Sequence, residues 1–108
     1  MKAAIATTGG NILWEDHFGQ SPFYQICEFD GEQWVKSEMR RNPMAEERKH
    51  ARPEEIYQLL SDCDIFAAIR MGEKSRQVLN TMGIITHLRD AQSVEQMIDL
   101  LPIPYLSK

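Results

Sequence analysis

The stretch Asp64-Ile65-Phe66-Ala67-Ala68-Ile69-Arg70 reads as a short strand that is apolar on both faces. Such a run suits a central parallel strand covered by helices on both sides. Before it, Ile56, Leu59, Leu60 and Cys63 form an apolar helical stripe that opens after Pro53, a residue well suited to the first helical turn. After it, residues 73–82 are expected to form a helix that buries Val78, Leu79 and Met82 and stops at Gly83. Residues 84–88 then make the last strand. Ser93 with Gln96 forms a capping box for a final helix whose core face is Val94, Met97, Ile98 and Leu101.

Upstream, residues 2–8 are apolar and β-compatible, and Gly9-Gly10 breaks them. Residues 23–29 and 33–41 are joined by Asp30-Gly31 and read as a hairpin. Lys36, Glu38 and Arg40 alternate along its second strand and are expected on one face, where charge on an edge discourages further pairing. Asn42-Pro43 ends that strand, and a polar stretch runs through Arg52. The order β, β-hairpin, α, β, α, β, α implies an α/β sandwich with a mixed sheet and right-handed crossovers. At 108 residues the chain is expected to be a single domain, 1–108, with a core that needs no disulfide or structural metal.

Composition narrows the function classes. The formal net charge of −4 argues against broad attraction to nucleic acid or to an anionic membrane. No apolar run approaches the roughly 20 residues of a membrane span, and the N-terminus lacks a secretory layout. The two cysteines, Cys27 and Cys63, form no CxxC or zinc pattern, so a reducing, cytoplasmic setting is expected.

A hairpin reverses the chain and each helix returns it for a parallel strand, so strand direction can be followed from this order alone. His17, the loop around His50, the Arg70-Met71-Gly72 turn and His87 then fall at one end of the sheet, the carboxyl end where open α/β sheets bind ligands. Both cysteines fall toward the opposite end and read as core thiols. His17 lies in the loop His17-Phe18-Gly19, just beyond a strand end, where an imidazole can either ligate a metal or pin the loop by a hydrogen bond. Arg40, Arg41, Arg48, Lys49, Arg52, Arg70, Lys74 and Arg76 crowd the same end of an otherwise acidic chain. Arg70 directly follows an apolar run, so partial burial there calls for an acidic partner or an anionic ligand.

Several of these segments together resemble the dinitrogenase iron-molybdenum cofactor biosynthesis family, the nitrogenase accessory proteins that include NifX, NafY and the C-terminal domain of NifB. The matching pieces are Ala4-Ile5-Ala6-Thr7, His17-Phe18-Gly19 with Pro22-Phe23-Tyr24, Asn42-Pro43, Asp62-Cys63-Asp64 through Arg70-Met71-Gly72, Leu79 to Gly83-Ile84, and Ser93-Val94-Glu95. The resemblance implies an RNase H-like three-layer sandwich whose five-stranded mixed sheet has the order 3-2-1-4-5, with strand 2 antiparallel. It also implies a carrier in nitrogen fixation that binds an iron-molybdenum cofactor, its precursor or another metal-sulfur cluster, and that works with cluster-assembly or acceptor proteins. Arg70 and Gly72 look like the arginine-x-glycine turn of the nitrogenase-associated branch. Residues 44–52 carry only His50 where many members have a histidine-glycine-histidine-like stretch.

On this reading His17 is the first candidate metal ligand. His50 and His87 are secondary ones, Arg70 is an electrostatic anchor, and Phe18, Gly19 and Gly72 shape the cofactor site. A bulky anionic cluster could be held by few protein ligands on a cationic rim and still be released. An enzyme is not expected. Two-metal nuclease chemistry needs clustered carboxylates, which residues 2–7 do not supply, and Gly72-Glu73-Lys74-Ser75 lacks the order of a phosphate loop. The alternative is a small regulatory or protein-interaction module of the same fold without a bound cluster.

Overall fold

The structure, a computed structural model, describes residues 1–46 and 52–104. Its centre is a six-stranded mixed sheet. The longer strands β1 (Lys2–Gly9), β3 (Phe23–Phe29), β4 (Trp34–Arg41), β5 (Ile65–Ala68) and β6 (Ile85–Leu88) lie in the order β4-β3-β1-β5-β6, and the short β2 (Ile12–Leu13) pairs with β1. β1 is antiparallel to β2 and β3, and parallel to β5. The expected sheet had five strands. The sixth, β2, arises because Gly9 and Gly10 both take positive φ, at 126° and 58°, and fold the chain back on β1.

Helices cover both faces. α2 (Pro53–Leu59) and α3 (Glu73–Thr81) pack with Phe18, Tyr24, Ile26 and Phe66 on one side. α4 (Val94–Asp99) packs with Ile5, Cys27, Trp34 and Ile65 on the other. Ala3 and Ala67 face α4 while Ala4, Ala6 and Ala68 face α2 and α3. Small side chains on the central strands leave room for larger ones on the helices. No helix among the described residues is long and apolar enough to cross a membrane.

Local chemistry explains the element ends. The Asp30 carboxylate accepts from the backbone N–H groups of Glu32 and Gln33 at 2.9 and 2.8 Å, and Gly31 takes φ 104°. This is the turn expected at Asp30-Gly31. Ser93 Oγ accepts from the Gln96 N–H at 3.1 Å, whereas the Gln96 amide oxygen reaches back to the Gln92 N–H at 2.6 Å instead of to Ser93.

Three local expectations are corrected. Lys36, Glu38 and Arg40 do not share a face, because the β3–β4 register shifts so that Cys27 faces Lys36 while Ile26 faces Glu38. A bulge at Ser37 thus sends Lys36 to Glu95 on the α4 side and Arg40 to Asp62 on the other. Met82 is not part of a buried helical stripe: it is the C-cap of α3 and 36 % exposed, and Ile84 fills the core instead. The polar stretch after Asn42 opens with a further short helix, α1 (Pro43–Glu46).

Candidate functional site

After Leu13 the chain crosses the top of the sheet. The Trp14 N–H bonds the Ala6 carbonyl at 3.1 Å, and His17 then sits beside Arg70 in an isolated parallel bridge, with the Phe18 N–H donating to the Arg70 carbonyl at 3.0 Å. Phe18–Gln20 forms a single 3-10 turn. Phe18 anchors it from below: its ring is 1 % exposed, stacks on Phe66 at 5.0 Å between centroids and tilts against Tyr24 at 4.9 Å. The side chain of Phe18 therefore belongs to the core, and its backbone to the site. His17 itself is exposed. Its N–H donates to Asp16 Oδ1 at 2.8 Å, and its carbonyl accepts the Trp14 indole N–H at 2.9 Å.

A buried polar group that sequence reasoning passed over holds this turn. Asn42 is fully buried. Its amide nitrogen lies 3.2 Å from the Gly19 carbonyl, 2.9 Å from the Ser21 carbonyl and 3.3 Å from Tyr24 Oη, and its amide oxygen accepts the Met44 N–H at 3.1 Å. Tyr24 in turn donates to the Phe18 carbonyl at 2.7 Å. Burial places the Tyr24 hydroxyl far above its ordinary pKa, so it remains a donor. Ser21 Oγ ties the turn to β1 by accepting the Thr7 N–H at 3.0 Å. Asn42-Pro43 was the available signal, and by local chemistry it marks only the end of a strand.

The turn forms one wall of a cleft of about 110 Å³, which His17, Phe18 and Gly19 share with Pro53 and Ile56 of α2 and with Met71, Gly72, Ser75 and Leu79 of the α3 segment. Gly72 is the N-cap of α3 and no side chain caps it, so the positive end of the helix faces the cleft lining. An added Cβ on Gly72 would meet only Ser75 Oγ at 4.0 Å, so a glycine is not sterically required there.

Arg70 is exposed, contrary to the partial burial expected for it. It follows the end of β5 and lines a second, larger depression of about 860 Å³ together with Trp14, Ile69 and the carboxylate residues Glu15, Asp16 and Asp90. No ion pair of Arg70 occurs among the described residues. Arg40, another member of the expected cationic rim, is drawn away from it. Its guanidinium binds Asp62 at 2.8 and 3.1 Å, Glu38 at 2.7 Å and the Leu59 carbonyl at 3.1 Å. The bond from Arg40 holds the Asp62 carboxyl well below the usual carboxylate range. Arg76 binds Thr86 Oγ1 at 3.2 Å.

The other candidates lie elsewhere. His87 pairs with Ala67 within the sheet and so faces α4; it is 7 % exposed and does not line the cleft. Burial and the Arg89 charge push its pKa down, a backbone hydrogen bond with Leu100 opposes them, and its Nε2 has no hydrogen-bond partner among the described residues. His50 lies outside the described residues. Cys27 and Cys63 are free and buried, and burial pushes their thiols up to about 11 and about 12 respectively. Among the described residues no group of three or more His, Cys, Asp or Glu could hold a metal ion.

The comparisons agree with this architecture. A family model described as dinitrogenase iron-molybdenum cofactor matches residues 1–101. No curated protein matches the chain. The apo form of the orange protein from Desulfovibrio gigas superposes with a TM-score of 0.72 at 18 % identity, covering 98 % of this chain and 87 % of that one. The crystal structure of PH0822 gives 0.71 at 17 % identity, covering 88 % and 82 %. The NMR structure of a NifB-like protein from Thermotoga gives 0.66 at 18 % identity, covering 91 % and 84 %. At these identities the three structures share the fold with this chain.

Proposed function

The chain belongs to the dinitrogenase iron-molybdenum cofactor family, and from that premise we propose that it is a non-catalytic carrier of an iron-molybdenum cofactor, its precursor or a related metal-sulfur cluster. The observation that carries this reading is the cleft at the carboxyl ends of the parallel strands, where His17 shares one lining with the uncapped N-terminus of α3 at Gly72. A cluster is bulky, anionic and rich in soft sulfide. An imidazole can supply one coordinate bond, the helix end favours negative charge, and Ile56, Met71 and Leu79 offer an apolar floor. The cleft is small, so a cluster rests on its mouth and remains accessible to an acceptor. Few ligands and an open seat suit a carrier that must let go.

The strand order β4-β3-β1-β5-β6, with β3 antiparallel to its neighbours, supports the RNase H-like reading. β1 brings no carboxylate to the site, which supports a binding role over hydrolysis. On this proposal the protein works in the cytoplasm and hands its cargo between cluster-assembly and acceptor proteins.

The test is anaerobic purification from a metal-replete host, followed by metal and sulfide analysis and visible absorbance. The expected result is bound iron and sulfide with a charge-transfer band that changes in His17→Ala. A colourless protein that also refuses a reconstituted iron-molybdenum-type cluster would favour a regulatory or protein-interaction module instead.

A further inference from the structure

We propose that Asn42 is a positioning residue for the cluster seat, an inference that rests on the carrier reading and locates its control in the core. Three carbonyls of the His17 turn point inward. The two amide hydrogens of Asn42 are shared among the Gly19 carbonyl, the Ser21 carbonyl and the Tyr24 hydroxyl oxygen, and Tyr24 itself donates to the Phe18 carbonyl. The same side chain accepts the Met44 N–H in the first turn of α1, and its own backbone N–H bonds the Pro22 carbonyl at 2.9 Å. One fully buried amide therefore joins the turn that presents His17 to the chain leaving β4 toward the α2 wall of the cleft.

Chemistry restricts the residue. The position needs a donor for the turn carbonyls and an acceptor for Met44 on one short side chain. Asparagine supplies both, aspartate lacks the donor, and alanine lacks either. With Asn42 removed, buried carbonyls lose their partners and the turn must open to water to recover them. The backbone that carries His17 would then no longer be held at the cleft it lines together with Gly72.

The experiment compares the parent with Asn42→Ala, Asn42→Ser and Tyr24→Phe, by amide hydrogen exchange and by binding of a reconstituted iron-molybdenum-type cluster. In the Asn42 variants, exchange at the Phe18, Gln20 and Ser21 amides should rise by about tenfold or more relative to Ala67 in β5. The visible spectrum of the bound cluster should move toward that of His17→Ala. Simple loss of stability would lower occupancy without moving the spectrum. Tyr24→Phe should raise exchange at Ser21 alone, and it serves if Asn42→Ala does not fold. Equal acceleration at Ala67, or an opened turn with an unchanged cluster spectrum, would overturn the inference. If the parent binds no cluster, the carrier reading fails, and the exchange data still decide whether Asn42 positions the turn.

Discussion

His17 and Arg70 stand side by side in a parallel bridge closed by the Phe18 N–H on the Arg70 carbonyl at 3.0 Å, yet they line different depressions. The bridge is a ridge. His17 borders the cleft toward α2 and α3, and Arg70 borders the wider depression that also holds Glu15, Asp16 and Asp90. A ligand seated on the cleft would feel the imidazole directly and the guanidinium only across the ridge, where nearby carboxylates weaken its field.

This geometry separates the two residues in a binding assay. On the carrier proposal, in which the imidazole supplies a coordinate bond, His17→Ala should change the absorption spectrum of a bound iron-molybdenum-type cluster. Arg70→Ala should leave the spectrum alone and reduce retention only slightly, by less than about tenfold, with a smaller effect as salt rises. Spectra and dissociation rates at low and high ionic strength check both. A spectral change in Arg70→Ala would mean that the cluster sits on the other side of the ridge.

The cysteines should be bystanders. With their thiols pushed up to about 11 and about 12 by burial, Cys27 and Cys63 are held protonated at neutral pH. Alkylation of the native protein at pH 7 should be slow for both, becoming fast only in denaturant. Cys27→Ala and Cys63→Ala should keep cluster binding at the parental level. Binding lost from a folded variant would make that sulfur a ligand.

Phe18 should act through the core. Its ring lies between Phe66 and Tyr24, so Phe18→Ala should cost roughly 3–5 kcal/mol in denaturant unfolding. Phe18→Leu keeps most of the volume and should lose less, with the cluster spectrum unchanged. A spectral change in the leucine variant at intact fold would show that the ring meets the ligand.

Local chemistry made much of this fold legible. The Asp30-Gly31 turn, the run at Ile65–Ala68 and the Ser93 cap are each specified within a few residues, and following strand direction brought His17 and Arg70 to one end. What escaped depends on distant partners. The Ser37 bulge is a property of two strands in register, so the alternation of Lys36, Glu38 and Arg40 concealed it. Asn42 meets groups 18, 21 and 23 residues away, and nothing in its local sequence distinguishes a buried clamp from a turn residue. The side chain of His87 is near the expected end of the sheet, but the alternation of β6 places it on the α4 face.

His87 should tune stability between neutral and mildly acidic pH. Its folded pKa lies below the ordinary value, so the unfolded chain binds its proton more readily. Stability from this residue is therefore complete above about pH 6.5 and is lost as pH falls through the folded value. Urea unfolding from pH 7.5 to 5 should show a decline that His87→Leu flattens, with the cluster spectrum unaltered. An unchanged slope in the variant would assign the decline to another group.

Asp62 should govern the more acidic limb. Its carboxyl is held low chiefly by the hydrogen bond from Arg40, with burial acting in the opposite direction. The unfolded carboxyl protonates first as pH falls below about 3.9, so stability from the pair is present above that value and is lost as pH drops toward the folded pKa. The pair is partly exposed, at 20 % for the Arg40 side chain and 40 % for that of Asp62, so solvent screening limits its contribution. The Leu59 carbonyl also depends on Arg40 as it leaves the end of α2. Arg40→Met should therefore destabilise the protein at pH 7 by roughly 1–2 kcal/mol, whereas Asp62→Asn should lose less. Both should flatten the pH dependence below 4 in denaturant unfolding. An acid limb as steep in Asp62→Asn as in the parent would remove this pair as its cause.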